Sequence, residues 1–284
     1  MSSPQPVLAS GRTAVITGAA KGIGEGTARK LADLGMNLCL FDRDHHALQT
    51  LCSELQTRTR VVPISGDVTC ESDLTHLRDT AFETFGEIAL LMNNAGIIDA
   101  AGPWSELATW RRQLEVNLLS MVRAQSLFVP HMLAQDGPGY IVNLGSKEGI
   151  TTPPGNAAYS VAKAGVKVLT EQLAHDLREA CGSRLSAHLL VPGYTWTPMN
   201  QAKKPEALEK PEEAWTCEEL VTYFLARLDA GDFYIVCPDN AVTPEIDARR
   251  IEWAMYDMID NRPALSRWHP EWAKRFAEFL RAEG

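Results

Sequence analysis

Thr17-Gly18-Ala19-Ala20-Lys21-Gly22-Ile23-Gly24 decides the fold, because of what stands on either side of it. Before it, Thr13-Ala14-Val15-Ile16 is a short β-branched run that reads as a buried strand, and after it Glu25 to Leu34 has helical spacing. Strand, glycine turn and helix in that order are the context a dinucleotide site needs. Glycines let the backbone turn tightly and approach a pyrophosphate with no Cβ in the way. The helix N-terminus adds unpaired N–H groups and a partial positive charge. Further out, Asn37-Leu38-Cys39-Leu40-Phe41 makes a second strand ending at Asp42. An acid about 20 positions beyond the glycines is where a ribose hydroxyl pair can be held.

A second stretch carries chemistry. Tyr159-Ser160-Val161-Ala162-Lys163 sets a phenol and an ammonium four residues apart in a segment read as helix, so both share one face. A tyrosine hydroxyl titrates near ~10 in water, and a lysine cation beside it favours the phenolate. The pair is then a candidate general acid/base. Alone it is an ordinary helix surface; beside the glycine turn it is more.

With these residues in view the chain resembles the short-chain dehydrogenase/reductase family, from about Arg12 to Pro238. The spacing Gly18, Gly22, Gly24 is that family's variant. Asp67, after the strand Val61-Val62-Pro63-Ile64, matches an aspartate that contacts the adenine ring. Asn93-Asn94-Ala95-Gly96 ends the strand Ala89 to Met92 and looks like the family's cofactor-supporting turn. Asn117 matches a helix asparagine that holds a water in the proton relay. Ser146 follows the strand Tyr140 to Leu144 and stands 13 residues before Tyr159. Val191-Pro192-Gly193 with Thr197 resembles the segment that meets the nicotinamide carboxamide.

Carried over residue by residue, the resemblance implies a catalytic set of Asn117, Ser146, Tyr159 and Lys163. The cofactor set is Gly18, Lys21, Gly22, Ile23, Gly24, Asp42, Arg43, Asp67, Val68, Asn94, Ala95, Gly96, Pro192, Gly193, Thr195 and Thr197, with Tyr159 and Lys163 again. Ser146, Glu148, Tyr194, Trp196 and Met199 fall on the substrate side. Singly, Asn117 reads as a helix-surface amide, Ser146 as a strand-end cap and Asp67 as a turn residue. Order and spacing carry the inference, since an open α/β sheet binds ligand along the carboxyl ends of its strands.

The implied fold is a doubly wound parallel sheet, a Rossmann fold, in one domain with a helical C-terminal extension. Residues 1–11 read as a tail, 12–238 as the nucleotide-binding catalytic domain, and 239–284 as the extension. Strand and helix patterns alternate without a linker, so the 284 residues count as one domain. A net charge of −9 argues against a nucleic-acid partner. Met1 to Ser10 lacks a signal peptide's basic start and apolar run, and no segment approaches the ~20 apolar residues of a membrane span. A cytoplasmic protein is expected. Six scattered cysteines without a C-x-x-C pair read as free thiols, and His45 and His46, adjacent on a helix, lack metal spacing. No metal is expected.

Two regions are less standard. Residues 195–219 are a long polar stretch with Lys203, Lys204 and Lys210, interrupted by Trp196, Met199 and Trp215. The family uses this region as a substrate lid; the plain alternative is that the tryptophans anchor the loop to the core. After the strand Phe233 to Cys237, Thr243-Pro244-Glu245 is a helix start, and Pro270 a second. Ile246, Ile251, Trp253, Met255, Met258 and Ile259 make the first helix apolar on more than one face. It must pack on its own domain, on another subunit, or over the substrate mouth.

The expected activity is interconversion of a secondary alcohol and a ketone with NAD, NADP being disfavoured by Asp42 although Lys21 and Arg43 pull the other way. Ile97, Ile98, Trp104, Ile150, Tyr194, Trp196, Met199 and Trp215 suggest a bulky, apolar or aromatic substrate. A homodimer or homotetramer is expected through the helix at 105–133 and the one bearing Tyr159. A nucleotide-sensing module without chemistry, and a sugar-nucleotide epimerase of the extended branch, are the rivals. The Tyr-Lys pair speaks against the first, the glycine spacing and short C-terminal part against the second.

Overall fold

In the computed structural model, which describes residues 6–202 and 209–281, the run at Thr13 becomes the middle of a sheet. Seven strands pair in parallel: β1 (Thr13–Thr17), β2 (Asn37–Asp42), β3 (Val61–Ser65), β4 (Leu90–Asn93), β5 (Gly139–Leu144), β6 (Leu185–Val191) and β7 (Tyr234–Val236). Their order is β3-β2-β1-β4-β5-β6-β7. The chain winds outward from β1 to β3, returns to β4 beside β1, and winds out the other way. That reversal opens a crevice at the carboxyl ends of β1 and β4, where such sheets bind ligand.

The helices are α1 (Gly22–Asp33), α2 (His45–Leu55), α3 (Glu71–Phe85), α4 (Leu107–Leu114), α5 (Ser120–Ala134), α6 (Glu148–Thr151), α7 (Ala157–Cys181), α8 (Pro198–Gln201), α9 (Cys217–Asp229), α10 (Pro244–Ile259) and α11 (Ala273–Arg281). They cover both faces of the sheet, which is why strands such as β1 are buried at every residue. Successive side chains alternate between two cores. Ile16, Leu38 and Leu40 join Leu31, Leu48 and Phe224 on one face. Val15, Cys39 and Phe41 join Leu74, Phe128 and Leu177 on the other.

Several boundaries differ from the pattern reading. Helix α1 starts at Gly22 instead of Glu25, because the last two glycines of the turn already form its first turn. The expected helix at 105–133 is α4 and α5 joined by a π-helical turn, Glu115–Leu119, which contains Asn117. Cys237 lies just past β7. In the C-terminal part, Thr243 caps α10 as expected, its hydroxyl accepting from Ile246 N at 3.3 Å. At the second start a 3-10 turn, Ser266–Trp268, comes first and α11 begins only at Ala273.

These C-terminal helices pack on their own chain. Trp253, 5% exposed, is the hub: the rings of Trp272, Phe276 and Phe279 surround it at 5.1–6.2 Å, and its Nε1 donates to Ser266 Oγ at 2.7 Å. Helix α10 lies against α6, the short helix next to Ser146.

Candidate active site

The glycine turn is shaped by contact as much as by φ. Gly18 and Gly22 have φ of +65° and +63°, a region that disfavours side chains. A Cβ on Gly24 would stand 2.2 Å from Gly18 O, so only glycine lets α1 close onto the turn. Asn94 fixes the turn from β4, its Nδ2 donating to Thr17 O at 3.0 Å and Gly18 O at 2.8 Å. Thr17 Oγ1 in return accepts from Asn94 N at 3.1 Å and Ala95 N at 3.3 Å. No side chain caps the first turn of α1, which leaves its N–H groups available to a ligand. A Cβ on Gly22 would lie 3.6 Å from Thr197 Cβ, which places Thr197 across the turn. This cradle, bare of side chains, fits a pyrophosphate.

At the end of β2 the Asp42 carboxylate accepts from Ala20 N and Asp44 N, both at 2.9 Å, and is fixed. Lys21 does not reach it. Its ammonium pairs with Asp44 at 2.5 Å, an interaction that raises the lysine pKa and lowers that of the carboxyl. Arg43 is exposed. Asp67 uses Oδ1 for Thr69 N and Thr69 Oγ1, both at 2.8 Å, beside buried Val68. Pro192 and Gly193 follow β6 directly, and Gly193 runs so close to the next crossing that a Cβ would meet Pro238 O at 2.4 Å. Thr195, 2% exposed, donates to Gly193 O at 3.1 Å.

The reacting end is assembled from β5 and α7. The Ser146 hydroxyl lies near enough to the Tyr159 phenol to favour its ionised form, and Glu148 N donates to Ser146 Oγ at 3.1 Å. Lys163, 2% exposed, donates from Nζ to Leu144 O at 2.6 Å and stands 5.7 Å from the centre of the Tyr159 ring. Here the electrostatics correct the sequence reading. Burial pushes the Tyr159 phenol up to about 12 against the opposing effect of Ser146, with the Glu148 charge adding to the rise. Burial also pulls the Lys163 ammonium down to about 7. In both groups burial is the largest effect and disfavours the charged form.

Asn117 has its side chain committed. Its Oδ1 accepts from Ile97 N at 2.9 Å, while Nδ2 donates to Ile97 O at 2.9 Å and Gln113 Oε1 at 3.1 Å. The amide thus staples the segment after Gly96 to the π-helical turn. Three further features were not singled out from the sequence. Asn93 Nδ2 donates to Asn143 Oδ1 at 2.9 Å, and Asn143 Nδ2 to Thr170 Oγ1 at 3.0 Å, a buried ladder tying β4, β5 and α7 together. Gly149 lets α6 lie directly on α7, since a Cβ there would stand 2.4 Å from the Lys163 carbonyl carbon. Lys147 is paired with Asp247. Only the glycine carried a signal, as an unforced Gly three residues after the serine.

Among the residues given to substrate, Glu148 accepts from Asn156 Nδ2 at 3.3 Å, and Tyr194 N donates to Asp239 Oδ2 at 2.9 Å. Trp196 is half-buried and Met199 37% exposed. Trp215 is an anchor: its Nε1 donates to Asn240 Oδ1 at 3.0 Å, and it brackets residue 195 through backbone bonds to Tyr194 and Trp196. Trp104 is 92% exposed. Lys203 and Lys204 lie outside the described residues.

Sheet order, glycine cradle and the Ser-Tyr-Lys junction define an oxidoreductase of the Rossmann type acting on CH–OH groups. Residues 12–208 match the family model described as short chain dehydrogenase, and the chain belongs to that family. A curated relative, 1-deoxy-11-beta-hydroxypentalenate dehydrogenase of Streptomyces exfoliatus, is 30% identical over 81% of this chain and 84% of its own. Cis-4-hydroxycyclohexanecarboxylate dehydrogenase of Sinomonas cyclohexanicum is 37% identical over 66% of this chain and 75% of its own. Among solved structures, a short chain dehydrogenase/reductase from Burkholderia phymatum in complex with NAD superposes with a TM-score of 0.80 at 29% identity, covering 89% of this chain and 96% of that one. No helix of the described residues is long and apolar enough to cross a membrane.

Proposed function

We propose that this chain is an NAD-dependent dehydrogenase/reductase that interconverts a secondary alcohol and its ketone, on a bulky, apolar or aromatic substrate. The observation that carries the reading is the junction of Ser146, Tyr159 and Lys163 at the carboxyl end of β5. Tyr159 transfers the hydroxyl proton, and Ser146, close to the phenol, holds the substrate oxygen beside it. Lys163 binds the nicotinamide ribose and passes the proton onward. Asn117, its side chain bonded to Ile97 and Gln113, keeps the relay's turn in place. The nicotinamide supplies or takes the hydride, so the protein's part is positioning and electrostatics.

NAD is favoured over NADP because Asp42 is fixed where the adenosine ribose falls, while Lys21 is neutralised by Asp44. A 2′-phosphate would meet an uncompensated carboxylate. Relatives named for alcohols on saturated rings support a bulky frame. Leu119, Val122, Val161 and Val168, all 37–54% exposed on or beside α5 and α7, support a homo-oligomer through those helices, and six free thiols suit a reducing cytoplasm. Light scattering at micromolar concentration checks the assembly, a monomer contradicting it. For the activity, cyclohexanol, 1-phenylethanol, a 3β-hydroxysteroid and their ketones are to be assayed by nicotinamide absorbance with each cofactor. Turnover of the bulkier alcohols with NAD is expected. Tight NADH binding with no turnover of any pair would favour a nucleotide-sensing module instead.

A further inference from the structure

We propose that Lys147 and Asp247 form a clamp by which the C-terminal helices position the catalytic turn, an inference that rests on reading Ser146 and Tyr159 as the reacting-end residues. Lys147 directly follows Ser146. Its Nζ lies 2.5 Å from Asp247 Oδ2 on α10 and 3.8 Å from Asp239 Oδ2. The lysine side chain is 22% exposed and the two carboxylates only 7% and 5%. Asp239 is engaged as well, its Oδ2 accepting from Tyr194 N at 2.9 Å and its Oδ1 from Ala241 N at 3.0 Å. One ammonium therefore joins the turn after β5 to the first turn of α10 and to Asp239, just past β7, which in turn holds the loop after β6 through Tyr194 N.

The lysine cannot move without the serine. Lys147 O accepts from Ile150 N at 3.1 Å and Thr151 N at 3.0 Å, and Glu148 N donates to Ser146 Oγ. Gly149 presses the same short helix onto α7, so the clamp bears on the face from which Tyr159 and Lys163 project. Arg250 Nη1, at 4.0 Å from Asp247 Oδ1, and Arg267 complete the charges around a cavity of about 30 Å³, closed on the apolar side by Ile150, Val236 and Ile251. Burial raises the Asp247 pKa while Lys147 opposes the rise. Apolar side chains could fasten α10 to α6 as firmly as this pair does. A buried ion pair in exchange for its desolvation cost fixes one mutual orientation, and here the oriented object is the serine turn.

The test uses the full chain with Asp247→Asn, Lys147→Met, Asp247→Glu and the double variant Lys147→Met/Asp247→Leu, which removes both members of the pair together and so leaves neither of the two facing the loss of the other. Hydrogen exchange is read on peptides covering 145–151 and 193–196, with 14–17 and 164–176 as internal references. In both charge-removing single variants and in the double variant, amides 147–151 and Tyr194 N should exchange about tenfold faster or more, with the references unchanged. With 1-phenylethanol and NAD, kcat should fall about tenfold while KM for NAD stays within about twofold, and Asp247→Glu should recover most of the loss. Faster exchange confined to 244–281, with the serine turn at parental rates, would overturn the clamp and leave the pair a simple fastening. So would a double variant that regains parental exchange and kcat. Separately, a Tyr159→Phe enzyme that keeps its turnover while the exchange effects stand would strike the reading of the site and not the clamp.

Discussion

Replacing Lys163 by Met should flatten the pH dependence of stability. The ammonium is 2% exposed, and its pKa falls from 10.5 to about 7 on folding, with burial as the cause. Between those values the unfolded chain binds the proton and the folded chain releases it, so stability rises with pH across the window. The penalty is greatest below the folded value and vanishes above the unfolded one. Linkage gives a cost of about 4 kcal/mol at pH 7 and about 1.5 kcal/mol at about pH 9.5, a difference of roughly 3 kcal/mol. Met has no proton to lose, so the variant lacks this slope. Losing the bond to Leu144 O costs about 1 kcal/mol, but at every pH alike. Urea denaturation of both proteins at the two pH values gives the four numbers needed. The variant's stability relative to the parent should be roughly 3 kcal/mol more favourable at pH 7 than at about pH 9.5. Equal differences at the two pH values would refute the lowered pKa of Lys163.

Two other substitutions probe the cofactor end and the packing of the catalytic turn. Asp42→Asn keeps an oxygen for Ala20 N or Asp44 N but removes the charge, and should lower the NAD-to-NADP ratio of kcat/KM by about tenfold or more, each decade being about 1.4 kcal/mol. A parent enzyme that already prefers NADP, or an unchanged ratio, would shift the selection to Lys21 and Arg43. Gly149→Ala drives a methyl to within 2.4 Å of the Lys163 backbone, so α6 must lift from α7. A loss of about 1–3 kcal/mol in urea denaturation is expected, with reduced turnover, and a variant matching the parent in both would contradict the contact.

The glycine turn, Asp42, and the strands flanking them were readable because each is local: a β-branched run, a residue without a side chain, an acid at a strand end. The Tyr159 and Lys163 pair was readable for the same reason, as one helix face. What the sequence did not disclose depends on separation. The ladder from Asn93 through Asn143 to Thr170 joins three elements, and nothing in any one of them marks the other two. The pairing of Lys147 with Asp247, 100 positions on, is of the same kind. Protonation was misjudged because burial, which reverses the expected effect of a neighbouring cation, is a property of the packed fold. Trp104 and Trp215 were grouped with the substrate on apolarity alone, whereas one faces solvent and the other anchors the backbone beside Thr195.

Comparing turnover and NAD affinity in the parent and Tyr159→Phe bears most directly on proton transfer by Tyr159. The substitution deletes the hydroxyl beside Ser146 and little contact area. A general acid/base group contributes about 10²–10⁴-fold, so turnover should fall at least a hundredfold with NAD affinity nearly unchanged. Retention of more than about a tenth of parental turnover would contradict it.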